Sequence, residues 1–237
     1  MKRQRLGQHY LADPLVVRRM LALADIGPSD RVLEIGTGRG ALTKELVGLG
    51  AAFEGYEVDR ENFAETIGAV GGTRARIHLA DAFEHRPKFD VLVSSLPYSE
   101  SAPFVRWLCG TDFRRGVVLL QEDFVRKLTA APGTRDYRGI SALAQLSFDI
   151  RVEGRVGMES FSPQPRVSSV LVLFTPKVRV SKSEASAITL LFSLRRRRVD
   201  SALAELGMKW KGAQGRRRVN SLTPEEVHEI CGRPAKP

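Results

Sequence analysis

The chain has 237 residues, enough for one sizeable domain with an appendage or for two modest ones, and enough to bury a core without covalent staples. Lys and Arg outnumber Asp and Glu by 37 to 27, and the net charge of +10 points to a polyanionic partner, with a merely solvated basic surface as the alternative. Cys109 and Cys231 are too few for a disulfide framework, no metal-ligand spacing links the four histidines, and no apolar run reaches the ~18 residues of a membrane span, so a reducing, cytoplasmic setting is expected.

Met1–Arg5 is a basic arm, followed by the mixed polar and aromatic segment Leu6–Leu11. Asp13-Pro14 has the pattern of an N-cap and first helical position, and apolar spacing predicts a helix to about Ala24. By itself Gln8-His9-Tyr10 looks like an ordinary lead-in to that helix. Arg31–Thr43 then reads RVLEIGTGRGALT. Val32, Leu33 and Ile35 form a short apolar run suited to a buried parallel strand. Gly36, Gly38 and Gly40 form a turn that backbone can line without side chains, and helical spacing follows from Ala41. This is the first crossover of a nucleotide-binding α/β domain. The loop lacks the Gly-Lys-Ser/Thr of a P-loop, and its G-x-G-x-G spacing is not the dinucleotide fingerprint. Glu34 stands two positions before the first glycine, where a carboxylate would repel phosphate and welcome a cation. S-adenosylmethionine, a sulfonium without phosphate, suits such a site; a tight turn in some other α/β protein is the alternative.

Ala51–Val58 reads as a second strand ending at Glu57, roughly 20 residues beyond the loop, where an acidic residue accepts both ribose hydroxyls. A helix is predicted over Arg60–Val70 and a third strand over Arg74–Leu79. Asp81, just past that strand, suits an adenine amine or simply caps a turn. Phe89–Val93 is a fourth strand running into Ser94-Ser95-Leu96-Pro97-Tyr98, where proline stops the strand and an aromatic follows at once. A helix over Glu100–Leu108, a fifth strand over Gly116–Gln121, and helices over Glu122–Ala130 and Ile140–Phe148 follow. The loop Pro132–Gly139 is basic through Arg135 and Arg138. Ile150–Val156 and Val167–Thr175 resemble an antiparallel pair, and two prolines stiffen their connection so that Phe161 is presented on a rigid loop. Pro176–Ser183 reads as a linker. The tail beyond it is helical in pattern, carries the blocks Arg195–Arg198 and Arg216–Arg218, and has a helix start at Thr223-Pro224. These features predict a domain over 1–178 and a small basic helical domain over 179–237.

Taken together, six segments in order resemble the ribosomal RNA adenine N6-dimethyltransferases, a family that includes small-subunit dimethylases and erythromycin-resistance methylases. They are Gly7–Leu11, Val32–Thr43, Tyr56–Asp59 with Asp81-Ala82, Ser95–Tyr98, Phe161–Ser169 and Leu191–Arg198. The resemblance implies a Rossmann-like class I methyltransferase fold with a seven-stranded, mostly parallel sheet and a small all-helical C-terminal domain. It implies S-adenosylmethionine held by Gln8, His9, Leu11, Glu34, Gly36, Gly38, Glu57, Asp81, Ala82 and Ser95. It also implies adenine methylation at Ser95, Leu96, Pro97 and Tyr98, with Phe161 on the second face of the base. Arg195, Arg196, Arg197, Arg198, Arg216, Arg217 and Arg218 are the expected RNA contacts. In this family two acceptors, the first motif side chain and the second motif carbonyl, draw the adenine amine toward tetrahedral geometry. Ser95 replaces the usual asparagine, which leaves the second methylation in question. The expected substrate is ribosomal RNA of a small-subunit precursor, bound by a monomer without metal or membrane. A large-subunit adenine methylase, or an assembly factor with weak or lost turnover, stays open. The tail is shorter than in bacterial members, which points to an archaeal type.

Overall fold

The computed structural model describes residues 9–210 and 216–232. The elements run β1 (Tyr10–Leu11), α1 (Pro14–Ala24), β2 (Arg31–Ile35), α2 (Ala41–Gly48), β3 (Ala52–Glu57), α3 (Arg60–Val70), β4 (Arg76–Leu79), β5 (Val91–Ser95), α4 (Ser101–Leu108), β6 (Arg115–Gln121) and α5 (Glu122–Leu128). They continue with α6 (Gly139–Ser147), β7 (Phe148–Val156), β8 (Phe161–Ser162), β9 (Ser169–Pro176), α7 (Lys182–Ser193), α8 (Val199–Glu205) and α9 (Pro224–Cys231). Helix starts follow sequence chemistry. The Asp13 carboxylate accepts the Leu15 N–H at 2.8 Å ahead of Pro14, and Asp59 caps α3 by accepting from Glu61 and Asn62.

The sheet has the order β4-β3-β2-β5-β6-β9-β7. Strands β4 to β6 pair in parallel, and β9 is antiparallel to β6. The order reverses beside β2: the chain leaves β2 for β3 on one side and returns to β5 on the other. A crevice opens at the carboxyl ends of the strands at such a switch point. At the edge, β7 carries Asp149, Arg151, Glu153 and Arg155, charges that discourage pairing with another chain.

Two differences from the sequence reading matter for the site. Strand β5 runs on through Ser94 and Ser95, because the buried Ser94 hydroxyl donates to the Ile35 carbonyl of β2 and so needs no water. The lead-in to α1 is itself a strand, with Tyr10 opposite Ser162 and Leu11 opposite Phe161 in a two-stranded sheet. Two residues are too short to show an alternating pattern in sequence.

The described chain forms two compact units, and a single cut at 178/179 does not separate them. The first comprises residues up to Pro103, Asp112–Glu122 and Arg151–Thr175; the second comprises Phe104–Thr111, Asp123–Ile150 and everything from Pro176. In the first, Val32, Phe53, Val91, Val93, Val117 and Leu171 form the core of the sheet. In the second, α6, α7 and α9 pack around Leu143, Ile188, Phe192 and Val227, with Tyr137 edge-on to Phe192 at 5.6 Å. The apolar stripe of α6 finds its partners on helices far along the chain, so α6 joins this unit and no boundary follows from a linker alone.

Candidate active site

The turn after β2 is fixed by backbone. Gly36 and Thr37 donate to the Tyr56 carbonyl at 2.8 and 3.3 Å, which ties the loop to β3. Gly38 has φ +55, and a Cβ there would stand 3.1 Å from the Tyr10 ring, so only glycine fits without strain. Beneath the loop, the Thr66 hydroxyl donates to the Gly38 carbonyl at 2.9 Å. Its single hydrogen is thereby used, so the Thr37 hydroxyl, 3.1 Å away, is the donor to Thr66. Glu57 at the end of β3 accepts the Gly38 N–H at 2.9 Å on one oxygen and the Asp59 N–H at 2.8 Å on the other.

These elements wall a cavity of about 470 Å³ at the carboxyl ends of β2, β3 and β5. Of the sequence-predicted residues, His9, Gly36, Gly38, Glu57, Asp81, Ala82, Ser95, Leu96 and Pro97 line it. Asp81 is exposed, and its carboxylate accepts the Phe83 N–H at 2.8 Å. His9 donates from Nδ1 to the Pro163 carbonyl at 2.8 Å, and its ring lies 5.9 Å from that of Tyr98. Tyr98 is held by its hydroxyl, 3.0 Å from the Ser169 hydroxyl. The half-buried Ser95 hydroxyl has no hydrogen-bond partner among the described residues. Gln8 lies outside the described residues.

Three expectations are corrected. Leu11 does not line the cavity; it is 5% exposed, within the core and opposite Phe161. Phe161 is 4% exposed in the same core, so its ring is not presented on the loop and offers no face to a base. Glu34 is 1% exposed and accepts the Thr43 hydroxyl at 2.7 Å. Burial, with the Glu57 charge adding to it against the Thr43 hydrogen bond, holds the Glu34 carboxyl well above the usual carboxylate range. Glu34 is not among the residues that line the cavity, so the case against phosphate rests on the missing lysine and the loop spacing.

Sequence reasoning missed Asn62 and Thr66. Asn62 lines the cavity, is 5% exposed, and accepts the Tyr10 hydroxyl at 3.0 Å. The Arg39 guanidinium lies over the Tyr10 ring, 4.5 Å from its centroid. A signal was present: the buried stripe of α3 is Asn62, Thr66 and Val70, and two of its three members are polar.

Within the second unit the two arginine blocks lie side by side. Val199 donates to the Arg217 carbonyl and Val219 to the Arg197 carbonyl, with a bridge between Arg198 and Arg218. They are not equivalent. Arg197 pairs with Glu205, Arg198 with Asp200 at 2.7 Å, and Arg217 makes a two-pronged contact with Glu226 at 3.0 and 3.1 Å. Arg195 and Arg196 have no carboxylate partner among the described residues. Among the described residues there is also no cluster of three metal-ligating side chains and no helix long and apolar enough to cross a membrane.

The parallel sheet, the glycine turn at its switch point and the carboxylate ending the second parallel strand define a Rossmann-like methyltransferase fold. The chain is similar in structure to a dimethyladenosine transferase from Plasmodium falciparum, with a TM-score of 0.79, 22% identity, and 93% and 95% of the two chains covered. It is likewise similar to the 23S rRNA methyltransferase ErmE, with a TM-score of 0.65 at 22% identity, covering 94% of this chain and 98% of that one. Residues 1–231 match the family described as ribosomal RNA adenine dimethylase, and the chain belongs to that family. Curated relatives include a probable ribosomal RNA small subunit methyltransferase A from Pyrococcus abyssi, 35% identical over 95% of this chain and 89% of that protein. Another, from Geobacter metallireducens, is 35% identical over 90% of this chain and 84% of its own length.

Proposed function

We propose that the protein transfers methyl groups from S-adenosylmethionine to N6 of adenine in small-subunit ribosomal RNA. The observation that carries this reading is the hydroxyl of Ser95, without a partner among the described residues, beside the Leu96 carbonyl at the rim of the glycine-loop cavity. The cavity suits the methyl donor: each Glu57 oxygen spends one lone pair on a backbone N–H and keeps another for a ribose hydroxyl. Gly36 and Gly38 let the ligand meet backbone, Asp81 offers an acceptor to an adenine amine, and His9 closes the side toward Tyr98. When bound, the donor supplies an electrophilic methyl on a sulfonium. Ser95 and the Leu96 carbonyl accept the two amino hydrogens of the target adenine and turn its nitrogen lone pair out of conjugation. No strong base is required, because the alkylated nitrogen is acidic. Tyr98, anchored through Ser169, supplies one stacking face for a base taken out of its stack. Much of the rate comes from holding nitrogen and methyl in line.

RNA contact by the arginine blocks belongs to the same proposal, carried by Arg195 and Arg196, with Arg216 and Arg218 beside them. Arg197, Arg198 and Arg217 are engaged with carboxylates.

The test is mass spectrometry of ribosomal RNA after incubating small subunits with labelled donor and either wild type or Ser95→Asn. Methylated adenine is expected from both, with a larger dimethyl share from Ser95→Asn, whose longer side chain reaches further. Donor binding without methyl transfer by either protein would overturn the enzymatic reading in favour of an assembly factor.

A further inference from the structure

The first unit has a second, larger cavity, of about 760 Å³, at the opposite end of the parallel strands from the glycine loop. Its rim includes Arg31 and Arg76, the first residues of β2 and β4. Its floor is apolar, from Val47, Phe53 and Ala75. Its charge balance is one-sided. Arg31 is already spent on Asp90, with contacts of 2.8 and 2.9 Å, and Arg76 stands 3.9 Å from Glu54, the one carboxylate in the lining. The side chains of Lys44, Arg74 and Lys88 are exposed on the same rim and have no hydrogen-bond or ion-pair partner among the described residues.

The remaining polar side chain in the lining, Thr73, is committed to the Val70 carbonyl and the Ala75 N–H. A small-molecule site needs a few placed polar groups to fix orientation, and beyond its exposed cations this cavity has none to spare. What it offers is positive charge on long, mobile stems, which recognises charge without reading shape or sequence. That is how proteins contact a nucleic-acid backbone. We propose that Lys44, Arg74 and Lys88 form a docking groove for the phosphate backbone of the ribosomal RNA substrate, remote from the methyl-transfer cavity. The proposal rests on the reading of RNA as substrate.

The experiment compares full-length wild type with the triple variant Lys44→Gln/Arg74→Gln/Lys88→Gln and with Lys44→Arg/Lys88→Arg, which keeps the charge. Binding to purified small-subunit ribosomal RNA is measured against salt concentration, together with S-adenosylmethionine binding and methylation kinetics. The triple variant is expected to lose 2 to 3 from the salt slope, at about 0.9 per phosphate contact. Its KM for RNA is expected to rise about tenfold or more, with kcat and donor binding unchanged, while the charge-keeping variant behaves as wild type. An unchanged slope and KM in the triple variant would overturn the groove. Saturable binding of inorganic phosphate that the triple variant loses, with the RNA slope unchanged, would also overturn it, in favour of a small-anion site. If wild type itself fails to bind RNA, the substrate reading falls, an outcome distinct from failure of the groove alone.

Discussion

The two ends of the parallel strands are built from different materials. At the carboxyl ends the polar groups around the glycine loop are committed to one another, Glu57 to two backbone N–H groups, Thr37 and Thr66 to the loop and Tyr10 to Asn62, and the Ser95 hydroxyl is left over. At the amino ends the uncommitted groups are the exposed cations Lys44, Arg74 and Lys88. The first arrangement holds one shape and so discriminates among ligands. The second holds charge and little else, so it gains attraction without selectivity and weakens with salt. A methyl donor and the polyanion proposed for the groove impose these opposite demands, one at each end of the parallel strands.

The difference is open to direct attack. The largest effect is expected from Glu57→Ala, which removes the carboxylate that accepts from Gly38 and Asp59 and is proposed to hold the ribose. Hydrogen bonds to a charged group are worth about 1.5–3 kcal/mol. Donor affinity measured by calorimetry should therefore fall roughly 10- to 100-fold, with the salt slope of RNA binding unaltered. A matching loss of RNA binding would show that the two ends are not independent. Tyr10→Phe is a smaller cut, deleting one hydrogen bond to Asn62 worth about 1 kcal/mol. It should weaken donor binding about fivefold and again leave RNA alone.

Asp90→Asn probes the other end. Arg31 beside it holds the Asp90 carboxyl down to about 2. A depressed carboxylate stabilises the fold above its ordinary value near 3.8, and that stabilisation is lost as pH falls toward 2. The side chain is 34% exposed, so screening leaves about 1 kcal/mol. Urea unfolding should show that deficit at pH 7 and a progressively smaller one between pH 4 and pH 2. The same variant frees Arg31 on the groove rim, so the RNA salt slope should steepen by up to about 1. A shallower slope would count against the groove.

Much of the fold was legible because it rests on local patterns. Apolar runs marked the strands, Asp13-Pro14 and Thr223-Pro224 marked helix starts, and the glycines marked the turn. Where position along a strand decides placement, sequence and structure agree: Glu57 and Ser95–Pro97, expected at strand ends, line the cavity. The site was not legible where burial decides. Leu11, Phe161 and Glu34 sit in motifs that resemble binding segments, yet all three point into the core. Asn62 is an unremarked residue of a helix that ends up against the Tyr10 hydroxyl. The arginine blocks read as uniform charge, but carboxylates elsewhere in the chain engage Arg197, Arg198 and Arg217.

The sequence by itself determined the α/β class, the strand–glycine turn–helix crossover and the family, since these depend on residue order and spacing. Tertiary structure alone decided that the lead-in to α1 is a strand, that α6 belongs with the C-terminal helices, and that Glu34 is buried beside Thr43. It also decided which cations are left over once the ion pairs are made. Each of these depends on neighbours distant in sequence, and burial and charge pairing are properties of neighbours.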